Sequence, residues 1–243
     1  MIYNYNEKAY KESVVVDKYS KATDSVGLWN SEKYAIKKYF QTNDHILDVG
    51  CGAGRTTYGM AKLGYNNITG IDFSNSMITE AERKISGHKK ISFICCDVLN
   101  MPFESCSFNC VLVSYNALMM IPKHTNRIKA LHEIRRVIHK GGILIFTASD
   151  REHNEKYYKF WEEEKERWKN QTMDTRLFDY GDQIFTECGN EVFIHFSTQI
   201  EIIKMLNQAG FYLLESFFRS EIAEPQSVKD FSGDTMFYIA QSI

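Results

Sequence analysis

The sequence predicts an α/β fold: one doubly wound sheet of seven strands, mostly parallel, with an antiparallel last strand. Three observations carry this. Short apolar runs alternate with segments of helical periodicity between residues 45 and 149. The runs are apolar almost throughout, instead of alternating with polar residues, which is the pattern of strands covered on both faces by crossover helices. Two further strand-like runs, F-Y-L-L-E-S-F-F (211–218) and T-M-F-Y-I-A (235–240), lie close together at the end and predict an antiparallel pair.

Taken in order, residues 1–40 predict a helical N-terminal cap. Residues 1–30 are polar and rich in tyrosine (Tyr3, Tyr5, Tyr10, Tyr19), and S-E-K-Y-A-I-K-K-Y-F (31–40) reads as a helix with Ser31 at its N-cap. H-I-L-D-V (45–49) is the first strand, and R-T-T-Y-G-M-A-K-L (55–63) is a helix ended by Gly64. N-I-T-G-I-D (67–72) is the second strand. Ser74 caps N-S-M-I-T-E-A-E-R-K-I (75–85), which Gly87 ends. I-S-F-I-C-C-D (91–97) and F-N-C-V-L-V-S-Y (108–115) are the third and fourth strands. T-N-R-I-K-A-L-H-E-I-R-R-V-I-H-K (125–140) puts Ile128, Leu131, Ile134 and Ile138 on one helix face; Gly141 and Gly142 stop it before the fifth strand, I-L-I-F-T-A-S (143–149). The rhythm then breaks. A charged, aromatic helix over 151–170 precedes a stretch of weak periodicity, so 151–197 reads as an insertion after strand five. T-Q-I-E-I-I-K-M-L-N-Q-A-G-F (198–211) is a helix leading into the final strands. The whole of 1–243 reads as a single domain.

The 243 residues are 44% hydrophobic and carry a formal net charge of -2. That supplies a core for one α/β domain with extra elements. No basic block stands out, so nucleic acid is not favoured as a partner. The cysteines, Cys51, Cys95, Cys96, Cys106, Cys110 and Cys188, have the spacing of neither a zinc site nor a disulfide framework. Free thiols suit a reducing, cytoplasmic setting. The start, M-I-Y-N-Y-N-E-K, has no apolar region of the signal-peptide kind, and no run approaches the ~18 apolar residues of a membrane span. No metal is expected, because only Asp150, near Asn116, offers an acid after strands four and five.

Residues 46–54 read I-L-D-V-G-C-G-A-G. A dinucleotide fingerprint starting at Gly50 needs a glycine at position 55, where Arg55 stands, and the P-loop pattern is absent as well. Glycines at 50, 52 and 54 let the backbone turn tightly and approach a ligand, and the following helix offers free N–H groups to an anion. Asp72 ends the second strand, where a carboxylate can accept two hydrogen bonds from a ribose diol. Asp97 ends the third.

This order of motifs resembles the class I S-adenosylmethionine-dependent methyltransferases, with D-x-G-x-G-x-G at 48–54, S-Y-N-A-L-M-M-I-P at 114–122 after strand four, and H-K-G-G-I-L-I-F at 139–146 leading into strand five. The resemblance covers about residues 44 to 150 well and implies a Rossmann-like fold binding S-adenosylmethionine, with S-adenosylhomocysteine as product. It implies a cofactor site of Asp48, Gly50, Cys51, Gly52, Arg55, Asp72, Phe73, Met77, Asp97, Val98, Ser114 and Tyr19. Within that set Asp97 accepts from the adenine amino group and the Val98 N–H meets a ring nitrogen. Asp48 orients the glycine loop, and Cys51 contributes its backbone. Arg55 either orients the ligand carboxylate or caps a helix face. Met77 is adenosine lining or core, and Tyr19 either closes over the ligand or packs its own helix.

Transfer of a methyl group from a sulfonium is an in-line displacement that requires alignment and exclusion of water, with a base only if the acceptor carries a proton. No catalytic residue is signalled by spacing. Substrate candidates by position are Tyr115, Asn116, Met119, Asp150 and His195, the last either a base or structural. Met119 and Met120 stand where family members often have histidines, which makes the pocket more apolar. The 151–197 insertion is expected to be the lid and specificity element. The resulting expectation is a small-molecule methyltransferase acting at O, N or C, as monomer or homodimer. The alternatives are a tRNA or protein methyltransferase and, further off, a catalytically inactive nucleoside-binding protein.

Overall fold

The computed structural model describes residues 3–243; positions 1–2 of the N-terminal cap lie outside them. Three helices come first, α1 (Tyr3–Ala9), α2 (Ser13–Ser25) and α3 (Asn30–Tyr39). Alternation follows: β1 (Ile46–Val49), α4 (Arg55–Lys62), β2 (Ile68–Asp72), α5 (Asn75–Lys84), β3 (Ile91–Cys95) and β4 (Phe108–Val113). A 3₁₀ turn (Ala117–Met120) leads to α6 (His124–Val137) and β5 (Ile138–Ala148). The insertion holds α7 (Tyr158–Lys169) and the strands β6 (Asp182–Glu187) and β7 (Asn190–His195). The chain ends with α8 (Gln199–Gln208), β8 (Phe211–Phe218), α9 (Gln226–Phe231) and β9 (Met236–Ser242).

Seven strands form one sheet in the order β3-β2-β1-β4-β5-β9-β8, while β6 and β7 pair with each other as a separate antiparallel hairpin. All neighbours from β3 to β5 are parallel. The last strand, β9, runs antiparallel to both β5 and β8. The sequence-based fold is therefore the observed one. Every residue of β1 and β2 is buried, as the unbroken apolar runs require of a sheet with two covered faces. Successive side chains take opposite faces. Leu47 and Val49 join Val111, Val113, Leu144 and Phe146 under α6 and α8, whereas Ile46 joins Cys110, Leu112 and Ile145 against α3, α4 and α9. Strand order reverses on the two sides of β1, and ligands of such sheets sit beyond the strand ends at that switch point.

Several local expectations are corrected. Ser31 is not the N-cap of α3. The helix begins at Asn30, and the Glu32 carboxylate accepts the Trp29 N–H at 2.8 Å. Glu224, far along the chain, accepts the N–H groups of Asn30 and Ser31 at 2.9 and 2.8 Å, so a distant acid does the work assigned to a local serine. Gly141 and Gly142 do not stop α6. They lie inside β5, whose register against β4 jumps between Phe108 and Cys110, and Ile138 belongs to the strand. The helix expected from residue 151 starts at Tyr158. The β6–β7 hairpin and α9 were not anticipated. The hairpin turns at Cys188 and Gly189, both with positive φ (49° and 79°), which only the glycine advertises in sequence. Among the described residues no helix is long and apolar enough to cross a membrane.

Candidate active site

The glycine loop leaves β1 at Gly50, and Gly50, Gly52 and Gly54 have φ of 68°, 53° and 86°, conformations that favour glycine over residues with a Cβ. Close packing adds to this at Gly50, where a Cβ would lie 2.8 Å from that of Ala117. The N–H groups of Gly50 and Cys51 donate to the Ile71 carbonyl at 2.8 and 3.0 Å, which stitches the loop to β2. Asp48 is buried beneath it. One of its oxygens accepts the Thr56 and Thr57 hydroxyls, each at 2.6 Å, and so fixes the first turn of α4. Burial pushes its carboxyl up to about 6.

A cavity of about 410 Å³ opens over the ends of β1, β2, β3 and β4. Asp72 lines it with one oxygen accepting the Gly52 N–H at 3.0 Å and the other the Ser74 N–H at 2.8 Å. Burial pushes this carboxyl up to about 6 as well. Asp97 lines it after β3 and holds the Leu99 N–H at 2.9 Å, with Val98 beside it. Phe73, Met77, Cys51 and Ser114 complete this part of the wall. The Cys51 thiol is raised well above its ordinary pKa by burial, so it presents as a neutral side chain.

Arg55 also lines the cavity, and its charge is already matched. Its guanidinium donates to both oxygens of Glu32, at 2.7 and 2.6 Å, and to the Gly27 carbonyl at 2.7 Å. The Trp29 ring lies 5.0 Å from it, and the Ser114 hydroxyl donates to the same Glu32 carboxylate. Glu32 is fully buried. One carboxylate thus ties α3, α4 and the end of β4 together.

The remaining side of the cavity is roofed by segments distant in sequence. Tyr19 of α2 and Tyr10, just after α1, line it, with their hydroxyls 3.3 Å apart. The Tyr19 hydroxyl donates to Glu187 of β6 at 3.4 Å, and Lys18 pairs with the same carboxylate at 2.5 Å. Asn6 of α1 donates to the carbonyls of Met120 (2.9 Å) and Phe193 (3.1 Å) and accepts the Phe193 N–H at 2.7 Å, so it pairs with β7 as a strand would. The Ser74 hydroxyl donates to the Tyr10 carbonyl at 2.7 Å, which fastens this segment to the loop carrying Asp72.

Of the residues expected from sequence, Tyr19, Gly50, Cys51, Gly52, Arg55, Asp72, Phe73, Met77, Asp97, Val98, Ser114 and Tyr115 line this cavity. Four candidates and Asp48 do not. Asn116 is buried. Its amide donates to Ser149 at 3.1 Å and accepts from Thr235 at 2.8 Å, and its N–H donates to Thr147 at 2.8 Å. It anchors Tyr115, the two residues both being left-handed with φ of 52° and 59°. Met119 is core, touched by the Ser197 hydroxyl. Asp150 holds the Glu152 N–H in a turn. His195 is buried with Nδ1 2.7 Å from Asp182, and burial lowers its pKa. Asn6, Glu7 and Tyr10 line the cavity without having been named as site residues. Tyr10 lay in the tyrosine-rich stretch, but nothing in the local pattern marks Asn6. Among the described residues no three His, Cys, Asp or Glu side chains converge as metal ligands.

Known proteins place this architecture. A methyltransferase domain model matches residues 46–142. A demethylmenaquinone methyltransferase of Staphylococcus haemolyticus is 29% identical over 116 residues, 46% of this chain and 47% of that protein. One from Staphylococcus aureus is 32% identical over 101 residues, 41% of this chain and 40% of that protein. The chain thus spans less than half the length of the curated relatives it matches. Among solved structures, an S-adenosylmethionine-dependent methyltransferase of Methanosarcina mazei superposes with a TM-score of 0.68 at 22% identity, covering 86% of this chain and 97% of that one. The matched motifs run from the glycine loop through β5, and the seven-stranded sheet carries them in order. Residues 46–142 thus match a methyltransferase domain, and the seven-stranded sheet has the fold of solved S-adenosylmethionine-dependent methyltransferases.

Proposed function

We propose that this protein transfers a methyl group from S-adenosylmethionine to a small molecule. The observation that carries this reading is the convergence of residues at the ends of β1, β2, β3 and β4, and from α2, on one cavity at the switch point of the sheet. The cavity walls fit the donor. Asp72 faces it as a hydrogen-bond acceptor suited to a ribose diol, and the left-handed glycine loop brings bare backbone close to a methionyl tail. Asp97 and the Val98 N–H suit an adenine edge, with Phe73 and Met77 against its faces. Cys51, Ser114, Arg55 and Tyr19 enclose the rest.

When bound, the donor supplies an activated sulfonium methyl. The chain's own contribution is alignment and the exclusion of water. In this reading the acceptor enters between Tyr10, Tyr19, Tyr115 and Met120. The α1–α2 segment and the β6–β7 hairpin of the 151–197 insertion act as its lid, held by Asn6 and Glu187. The relatives named for a quinone acceptor support a small-molecule class. Calorimetric titration with S-adenosylmethionine and S-adenosylhomocysteine tests the reading. Micromolar binding by the wild type, lost in Asp72→Ala, is expected. A folded wild type that binds neither compound sinks it.

A further inference from the structure

We propose that the acceptor is an uncharged amine, methylated at nitrogen, received against the ring faces of Tyr10, Tyr19 and Tyr115 at the roofed end of the cavity. This rests on the methyl-transfer reading above. Charge is the first argument. Among the described residues, the acidic and basic side chains lining the cavity are Glu7, Arg55, Asp72 and Asp97. Arg55 is held at both ends of its fork by the buried Glu32, and Glu7 is paired with Lys11 at 2.5 Å. Asp72 and Asp97 have no cationic partner among the described residues. With Asp72 and Asp97 turned to the donor, an anionic acceptor at the tyrosine end would lose its water and find no free cation lining the cavity among the described residues. A group that becomes positive as it reacts meets the opposite field.

The second argument is the aromatic wall. The Tyr19 ring stands 5.6 Å from that of Tyr10 and edge-on to Tyr115 at 6.0 Å, and Phe231 stacks behind Tyr115 at 5.0 Å. This cluster already takes a cation on its outside. Lys18 Nζ lies 5.8 Å from the centroids of both Tyr19 and Phe231. Ring faces of this kind attract ammonium groups through their quadrupoles.

The third argument is the base. The Tyr10 hydroxyl is engaged with Tyr19 and the Met120 sulfur, the Tyr19 hydroxyl with Glu187, and Glu187 with Lys18. Burial raises the pKa of both tyrosines, which keeps them protonated. A hydroxyl or carbon acceptor must shed a proton to become nucleophilic, whereas an amine nitrogen already presents a lone pair. That lone pair forms the new N–C bond as the C–S bond breaks. The broken bond's electrons stay on sulfur, the positive charge passes to nitrogen, and the resulting ammonium releases one proton to water.

The test uses the whole chain saturated with S-adenosylhomocysteine, titrated calorimetrically with phenyltrimethylammonium and with benzoate, two probes of similar size and opposite charge. The cation should bind at least about tenfold more tightly than the anion, and Tyr19→Leu should weaken it about tenfold, the worth of one desolvated ring contact. Tyr19→Phe keeps the ring and should keep the affinity. The wild-type comparison needs no variant to fold. Benzoate binding as well as the cation, or neither probe binding, overturns the amine acceptor while leaving the donor site intact. A loss in Tyr19→Phe as large as in Tyr19→Leu overturns the ring-face role. If the wild type does not bind S-adenosylhomocysteine at all, the methyl-transfer reading falls and this proposal falls with it.

Discussion

Glu32→Ala removes the acceptor on which four donors converge: both arms of Arg55, the Ser114 hydroxyl and the Trp29 N–H. The guanidinium stays buried, with the Gly27 carbonyl and the Ser114 hydroxyl as its remaining hydrogen-bond partners. Breaking one half of a buried ion pair costs about 3–5 kcal/mol, and the lost contact at the Trp29 N–H, which opens α3, accounts for about 1 kcal/mol more. For a chain of this size a loss of 1 kcal/mol lowers the Tm by about 2–4 °C, so the variant should melt roughly 10 °C or more below the wild type. Arg55→Leu in the same background removes the stranded charge, and the double variant should regain part of the loss. Urea unfolding with matched m values, alongside calorimetry, measures all three proteins. A Glu32→Ala cost under about 1 kcal/mol, or a double variant whose loss is the sum of the singles, would refute the claim that this pair holds α3 to the cavity wall.

Two further expectations follow from the geometry. Asp72 is pushed up to about 6 by burial, partly opposed by the Ser74 and Gly52 N–H groups. When ionised it offers a diol two acceptor oxygens, and protonation turns one of them into a donor, so S-adenosylhomocysteine affinity should fall as pH drops below about 6 and level off above it. Stability runs the other way. A raised carboxyl pKa favours the folded state at low pH and is lost as pH rises from the ordinary 3.8 through about 6. Asp72→Asn should flatten its share of both profiles, and an unchanged affinity profile in that variant contradicts the assignment. In Asn116→Ala, two side-chain hydrogen bonds and a tolerated left-handed residue are lost, about 2–3 kcal/mol in all. Asn116→Gly keeps the backbone conformation and should be about 1 kcal/mol less damaged, so equal or reversed unfolding free energies would count against stored strain at the Tyr115–Asn116 pair.

What the sequence revealed and what it hid have physical reasons. The glycine loop, Asp72 and Asp97 were legible because each meets a local demand, a positive φ or an acid at a strand end, that only a few residue types satisfy. The parallel sheet was legible because its strands are apolar on both faces. Asn6, Glu32 and Glu224 were not. Each satisfies backbone groups or charges more than twenty residues away, or does so from an ordinary polar stretch, and nothing in its immediate neighbours marks it. Asn116 and His195 carried the right chemistry in plausible places, yet the Asn116 amide and His195 Nδ1 are engaged inside the protein and neither residue lines the cavity. In the β6–β7 hairpin, β7 is buried at four successive residues while β6 is half-buried or exposed between its ends, so neither strand shows a clean alternation.

The Asn6 bridge also sets an order of events. Asn6 and Phe193 are 187 residues apart. At synthesis rates of about 5–20 residues per second, roughly ten to forty seconds separate their emergence from the ribosome. Through that interval β1 to β5 and their helices are available to pair, with the walls of the cavity among them, while the N-terminal segment has no strand to hold. The contact of Asn6 with β7 is thus among the last to form, although Ser74 and Met120, the segment's other partners, are made much earlier.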